Sequence, residues 1–284
     1  MEEMIKKADI LIEALPYIRK FHKKIVVIKY GGSILGEEKI RKVVLQDIVF
    51  LSFVGIKIVL VHGGGPSISE RIRMSGKKTE FVDGMRVTDE ETLLVVEDEL
   101  KRLNSLIVDE LNQLGSKAIS LDGKNDGIIF VKKKKTKIDL GFVGEITGID
   151  TEPILNNLNK GCVDVILPMG KGNDNRAYNV NADEAASHIA SSLKSEKLII
   201  LTNVAGIMRN PEEPNSLIST LSIEEAEKLI KDKVIQEGMI PKVKACIWAL
   251  EQGVKKTHII DARIPHSLLL EIFTDKGVGT EIIK

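Results

Sequence analysis

The sequence predicts an α/β fold: a mainly parallel sheet with helices on both faces. Three observations carry this. Short apolar runs alternate with segments of helical period along most of the chain. Two of those runs, Ile25 to Tyr30 and Ile58 to Val61, empty into glycine turns, Gly31-Gly32-Ser33 and His62-Gly63-Gly64-Gly65. Helical patterns follow both turns directly, Glu38 to Phe53 and Ser67 to Ser75.

The elements read in order as follows. Met4, Ala8, Leu11, Leu15, Ile18 and Phe21 recur at helical spacing, so an amphipathic helix bent or interrupted near Pro16 precedes the first strand. It packs on its own domain or contacts another subunit. After the two strand–glycine units come strands at Ala118 to Leu121, Val163 to Leu167, Leu198 to Leu201 and His258 to Ile260. Helices are expected at Glu90 to Leu114, Glu152 to Asn159, Ala182 to Leu193, Ile223 to Lys231 and Val243 to Gln252. Right-handed crossovers then bring the strand ends to one edge, where ligands bind. Lys78 to Val87 and Ile128 to Ile146 alternate with period two around glycine, and read as β-hairpins forming a lid. The expected organisation is an N-terminal helix extension (1–24), a substrate and dimerisation lobe (25–194) and a nucleotide lobe (195–284).

Composition narrows the function. Lysine plus arginine and aspartate plus glutamate each total 41, so no basic excess points to nucleic acid or a membrane surface. The run Lys132 to Lys135 reads as a hairpin tip in solvent. Two cysteines, Cys162 and Cys246, are too few for a disulfide framework and fit a reducing compartment. Glu2, Glu3, Lys6, Lys7 and Asp9 interrupt any signal-peptide core. A cytoplasmic location is expected, or the plastid stroma for a plastid-encoded chain.

Glycine turns at strand ends, with helices directly behind them, let backbone N–H groups converge on an anion, phosphate above all. The familiar phosphate motifs are missing: no G-x-x-x-x-G-K-[ST], no G-x-G-x-x-G after a strand, no H-R-D or D-F-G. His62-Gly63-Gly64-Gly65 is similar to an esterase oxyanion loop, but no G-x-S-x-G elbow accompanies it. Lys29 ends an apolar strand beside a glycine turn. It either snorkels to water or meets an anion there. Lys242 follows Pro241 at a helix start, where the dipole disfavours a cation unless an anionic ligand is near. Asp183 sits in the first turn of its helix, a favoured place for an acid. Arg86 precedes Thr88-Asp89-Glu90-Glu91, a capping-box signature, and one of these acids is a natural partner for it.

The ordered set Ile28-Lys29-Tyr30-Gly31-Gly32-Ser33, Val61-His62-Gly63-Gly64-Gly65-Pro66, Asp83-Gly84-Met85-Arg86-Val87-Thr88, Asn179-Val180-Asn181-Ala182-Asp183 and Gly238-Met239-Ile240-Pro241-Lys242-Val243 resembles the amino acid kinase family over nearly the whole chain. The resemblance implies an open three-layer α/β/α sandwich, and phosphoryl transfer from ATP, with Mg²⁺, to the γ-carboxylate of N-acetyl-L-glutamate. By the same resemblance Lys29 and Lys242 are catalytic cations and Asp183 organises them. Gly64, Gly65, Arg86 and Asn179 bind the acceptor, and Gly31 and Gly32 contact phosphate. The metal rides on phosphates and water, with no protein ligands. His62 is expected to be structural. Asn203, in the nucleotide loop Leu201 to Ile207, stands where relatives carry aspartate. The N-terminal helix and the tail Lys276-Gly277-Val278-Gly279-Thr280 are similar to those of ring-forming, arginine-inhibited members. They imply a homohexamer built as a trimer of dimers, L-arginine as feedback inhibitor, and a nitrogen-signalling regulator protein as a further partner.

Overall fold

The first element is α1 (Glu2–Phe21), a helix that runs across Pro16 without interruption. β1 (Ile25–Tyr30), α2 (Gly32–Leu35), α3 (Glu38–Phe53), β2 (Lys57–His62) and α4 (Gly65–Met74) follow. A small hairpin, β3 (Phe81–Val82) and β4 (Met85–Arg86), leads into the long helix α5 (Glu90–Gln113). Then come β5 (Ala118–Asp122), β6 (Ile129–Lys133), β7 (Gly144–Ile149), α6 (Glu152–Leu158), β8 (Val163–Leu167), β9 (Met169–Gly172), β10 (Ala177–Asn179) and α7 (Ala182–Ser192). The last part holds β11 (Lys197–Thr202), β12 (Thr220–Ser222), α8 (Ile223–Lys231), α9 (Met239–Glu251), β13 (Lys256–Asp261), α10 (Ser267–Phe273) and β14 (Thr280–Ile283). This computed structural model describes every residue except Asp83, Pro211 and Lys276, and every side chain except theirs and those of Glu3, Lys6, Lys7 and Pro214. Asp83 of the hairpin motif and Lys276 of the carboxyl tail thus lie outside the described residues.

The central sheet has eight strands in the order β12-β14-β13-β11-β1-β2-β8-β5. It is parallel from β13 to β5, with β14 antiparallel to β13 at one side. Both faces are covered, as the continuous apolar strands require. Val27 shares a core with Ala185, Ala186 and Ile189 of α7 and with Ala249 and Leu250 of α9. Val26, Ile28 and Tyr30, one residue out of phase, pack with Leu45 and Ile48 of α3 and Leu268 of α10. The sheet crosses the division between residues 194 and 195 unbroken: β11 pairs β1 from Val26↔Lys197 to Tyr30↔Leu201. Successive connections diverge around β1, so the crevice outside its carboxyl end is the natural ligand site of such a sheet.

Several expectations need correction. The Ile128 to Ile146 hairpin belongs to a second, four-stranded sheet in the order β10-β9-β6-β7, whose β9 and β10 the sequence reading missed. Lys132 and Lys133 end β6, paired with Glu145 and Asp139. Lys134 is not at a solvated tip; it reaches Glu184 of α7 at 2.6 Å. Asp89, not Thr88, caps α5, accepting from Thr92 N at 2.7 Å, while the Thr88 hydroxyl donates to the Arg86 carbonyl. Helix α9 begins at Met239, four residues earlier than its apolar pattern, which places Pro241 and Lys242 inside its first turn. Among the described residues no helix is long and apolar enough to cross a membrane.

Candidate active site

The register of β1 with β2 pairs Tyr30 with His62, so the two glycine turns leave the sheet side by side. Gly63 N donates to the Tyr30 carbonyl at 2.9 Å and binds one turn to the other. Their approach is closest at Gly32. A Cβ there would lie 2.7 Å from Gly65 N and 2.9 Å from Gly64 N, so no other residue fits without displacing backbone. The N–H groups of Gly32, Gly64 and Gly65 find no partner among the described residues. Gly64 is the N-cap of α4, whose dipole adds to the positive end of this nest.

Strand alternation turns Lys29 to the face covered by α7, beside Val27. It is buried, and its ammonium lies 2.9 Å from Asp183 Oδ1. From the other side Lys242 Nζ, in the first turn of α9, donates to Asp183 Oδ2 at 3.0 Å. One carboxylate thus bridges two ammonium groups. Asp183 is held by its helix start: Asn181 caps α7, its Oδ1 accepting from Asp183 N at 2.8 Å and Glu184 N at 3.1 Å. Burial alone would raise the Asp183 carboxyl; the pull of Lys29 and Lys242 outweighs it and holds it at about 2. Burial lowers Lys29, Asp183 opposes that, and the nearby Lys242 charge lowers it further.

Arg86 is buried and meets none of the acids Asp89, Glu90 and Glu91 of the capping-box pairing; its partners among the described residues are neutral oxygens. Its Nη2 donates to the Gly65 carbonyl and to Ser69 Oγ, each at 2.9 Å. The guanidinium stacks 4.7 Å from the Phe81 ring. Nη1 is buried without a partner among the described residues. Burial pulls Arg86 down to about 10, so it stays charged at neutral pH. An orphaned donor on a buried cation is costly unless a ligand meets it. Asn179, at the end of β10, donates to Thr88 Oγ1 at 3.3 Å.

These residues converge. Lys29, Gly31, Gly32, Gly64, Gly65, Arg86, Asn179, Asp183 and Lys242 all line one cavity of about 710 Å³ at the carboxyl ends of β1 and β2. Thr202 at the end of β11, Asn203 and Val204 just after it, and Gln236 to Met239 before Lys242 complete its other wall. The sequence reading missed Phe81 and Ser69 as supports of the site, and it took Asn181 only as part of the Asn179–Asp183 motif, not as the cap that holds Asp183. The first two belong to contacts made only in the folded chain; Asn181, an asparagine directly before a helical run, carried a capping signal. Among the described residues no group of three or more His, Cys, Asp or Glu is placed to hold a metal ion.

An α/β sheet with paired glycine turns at its switch point and a cationic cleft across it defines a protein that binds phosphorylated anions. Residues 24–261 match the profile of the Amino acid kinase family. The chain belongs to that family. It is 50% identical over 281 residues to an acetylglutamate kinase from Caldanaerobacter subterraneus subsp. tengcongensis, covering 99% of this chain and 94% of the relative. An acetylglutamate kinase from Methanocaldococcus jannaschii is 48% identical, with 100% and 98% covered. Among solved structures, N-acetylglutamate synthase from Neisseria gonorrhoeae complexed with coenzyme A and N-acetyl-glutamate superposes with a TM-score of 0.87 at 28% identity. That match covers 98% of this chain and 63% of the synthase.

Proposed function

We propose that the chain transfers the γ-phosphoryl group of ATP to the γ-carboxylate of N-acetyl-L-glutamate, giving N-acetylglutamyl 5-phosphate and ADP, a step of arginine biosynthesis. The observation that carries this is Asp183 bridging Lys29 and Lys242 beside a nest of glycine N–H groups and the buried Arg86 Nη1. A carboxylate is already a nucleophile at neutral pH, so the reaction needs no general base. Its difficulty is electrostatic: an anion must approach a triphosphate while charge spreads over the moving group. Lys29 and Lys242 stabilise that charge from two sides, and Asp183 sets their positions without taking a proton. Gly64 and Gly65 N–H groups receive the reacting carboxylate. Arg86 Nη1 clamps the α-carboxylate, and Asn179 hydrogen-bonds the same substrate. Gly31 and Gly32 face the phosphates. Residues 25–194 form the acceptor lobe and 195–284 the nucleotide lobe. Mg²⁺ bound to ATP would offset phosphate charge; Asp183, with both oxygens facing lysines, is engaged with them rather than placed to hold it.

Two further features extend the reading. Met4, Ile5, Ile10, Leu11 and Ile12 of α1 are exposed, which suits a helix that meets other subunits in a hexamer. A second cavity of about 570 Å³ between α1, α10 and β14 is lined by Glu271, Glu281, His258 and Gly277 to Gly279. It is the place we assign to L-arginine; the Neisseria synthase is also solved with coenzyme A and L-arginine, at a TM-score of 0.83, 26% identity, and 98% and 65% coverage. A nitrogen-signalling regulator protein is a further partner of this reading. ADP release measured in parallel with N-acetyl-L-glutamate, L-glutamate, L-aspartate and carbamate tests the assignment. Turnover confined to the first is expected; preference for another acceptor would overturn it. Light scattering with and without arginine tests the rest: a dimer unresponsive to arginine would remove the hexamer and the inhibitor together.

A further inference from the structure

Among the buried titratable groups left aside so far, His62 stands nearest the reacting centre. It ends β2, is fully buried, and precedes the three glycines of the second turn. Its Nδ1 lies 3.2 Å from the Gly63 carbonyl oxygen. Its Nε2 lies 3.2 Å from Asn104 Nδ2 of α5, and the same Nδ2 donates to the Val165 carbonyl of β8 at 2.9 Å. That last bond settles the ring. A carbonyl oxygen only accepts, so the Asn104 group facing it is the NH₂. The NH₂ then also donates to His62 Nε2, which must be the bare nitrogen. The single ring proton sits on Nδ1 and donates to the Gly63 carbonyl. Burial keeps the ring neutral, its pKa pulled down to about 4 with only the Gly63 carbonyl opposing.

A trans peptide holds its C=O and the following N–H on opposite sides. With its carbonyl turned back to the imidazole, the Gly63–Gly64 peptide turns Gly64 N–H away from His62, toward Gly32 and the cavity that Gly64 lines. Consecutive glycines impose little steric preference of their own on that plane. We propose that His62 and Asn104 form a positioning relay that fixes the Gly63–Gly64 peptide plane and so aims Gly64 N–H at the acceptor carboxylate. Asn104 selects the His62 tautomer, His62 holds the carbonyl, and neither touches substrate. The inference rests on the kinase reading of the cleft.

His62→Gln and His62→Asn separate positioning from filling space. The glutamine amide reaches toward Asn104 and leaves the Nδ1 position empty; the asparagine amide stands where Nδ1 stood. H62Q should lose roughly 10- to 100-fold in kcat/KM for N-acetyl-L-glutamate, in keeping with the cost of a misaimed group, with KM for ATP nearly unchanged. H62N should recover most of that loss. Equal losses in both variants, or a loss spread evenly over both substrates, would reduce His62 to packing and overturn the relay. Nitrogen-15 spectra of the unsubstituted protein test it without relying on any variant's folding: a proton on Nδ1 is expected, and a proton on Nε2 overturns it. Wild-type turnover with an unimpaired H62Q would sink the relay alone. A wild-type chain that ignores N-acetyl-L-glutamate would sink the kinase reading and the relay with it.

Discussion

Asp183 and Asp164 lie equally deep, 4% and 0% exposed, yet burial acts on them with opposite results. Asp183 stands at the mouth of the sheet between two lysines and is held ionised, at about 2. Asp164 is the second residue of β8, near its amino end and away from the cleft, with neither oxygen hydrogen-bonded among the described residues, and burial pushes its carboxyl up to about 7 against a weaker pull from the nearby Asn157. The same residue type thus keeps its charge where cations and an open cleft surround it, and keeps its proton where they do not. Charge is retained at the cleft because Lys29 and Lys242 meet it there. Inside the sheet, near the amino end of β8, a neutral carboxyl is the form the apolar surroundings favour.

The largest effect expected on this comparison comes from the cations that hold Asp183. Lys29→Ala and Lys242→Ala should both fold and lose on the order of 100- to 1000-fold in kcat, the scale of losing one electrostatic donor. Steady-state kinetics with melting curves check this; near-normal kcat in either variant would remove its catalytic role. Arg86→Lys tests the substrate side. It keeps the charge but not the planar fork, so KM for N-acetyl-L-glutamate should rise about tenfold, more than kcat falls. An unchanged KM would discard the clamp.

Asp164→Asn is the reverse case: activity should stay, and stability should rise. The sign follows from proton binding. Between the usual carboxyl range near pH 4 and about pH 7 the folded state holds a proton on Asp164 that the unfolded chain has lost, so stability falls as pH rises through that window. Removing the acid should therefore raise Tm at pH 8, by roughly 5 °C, and by less at pH 5. A lower Tm at pH 8 would show that the acid is stabilising in its ionised form. Of the two pH effects on stability, that of His62 is the smaller and has the opposite slope. Its folded pKa of about 4 lies below the usual value, so its contribution is complete above about pH 6.5 and is lost as pH falls toward 4. Melting curves of wild type and H62N between pH 4 and 7 should converge at the acid end; parallel curves would contradict the assignment.

Much of the fold could be read in the sequence because its core strands are short and dominated by branched apolar residues, with a single charged residue in each of β1 and β8. Ile25–Tyr30 and Val163–Leu167 begin and end where their apolar runs do. The missed strands are β9, β10, β12 and β14, each of three or four residues. Met169-Gly170-Lys171-Gly172 has no alternation to find, since two of its four residues lack side chains. At the site, glycine turns after strands point to anions on local grounds, and Lys29 is conspicuous beside them. The partners of Arg86 and of His62 were not legible. Phe81 and Ser69 meet Arg86 through a folded hairpin, and Asn104 meets His62 from 42 residues away in the chain. Such contacts exist only after the sheet and α5 assemble. Asn179 and Arg86 were marked by family resemblance; no periodicity singles them out.

The central claim is that Lys29 and Lys242, spaced by Asp183, grip the moving phosphoryl group from two sides. A crystal structure with ADP, Mg²⁺, N-acetyl-L-glutamate and a fluoride mimic of the transferring group tests it most directly. The account predicts both ammonium nitrogens within about 3 Å of the mimic's equatorial atoms, with Asp183 still bridging them. A mimic bound with either lysine turned to solvent would contradict it.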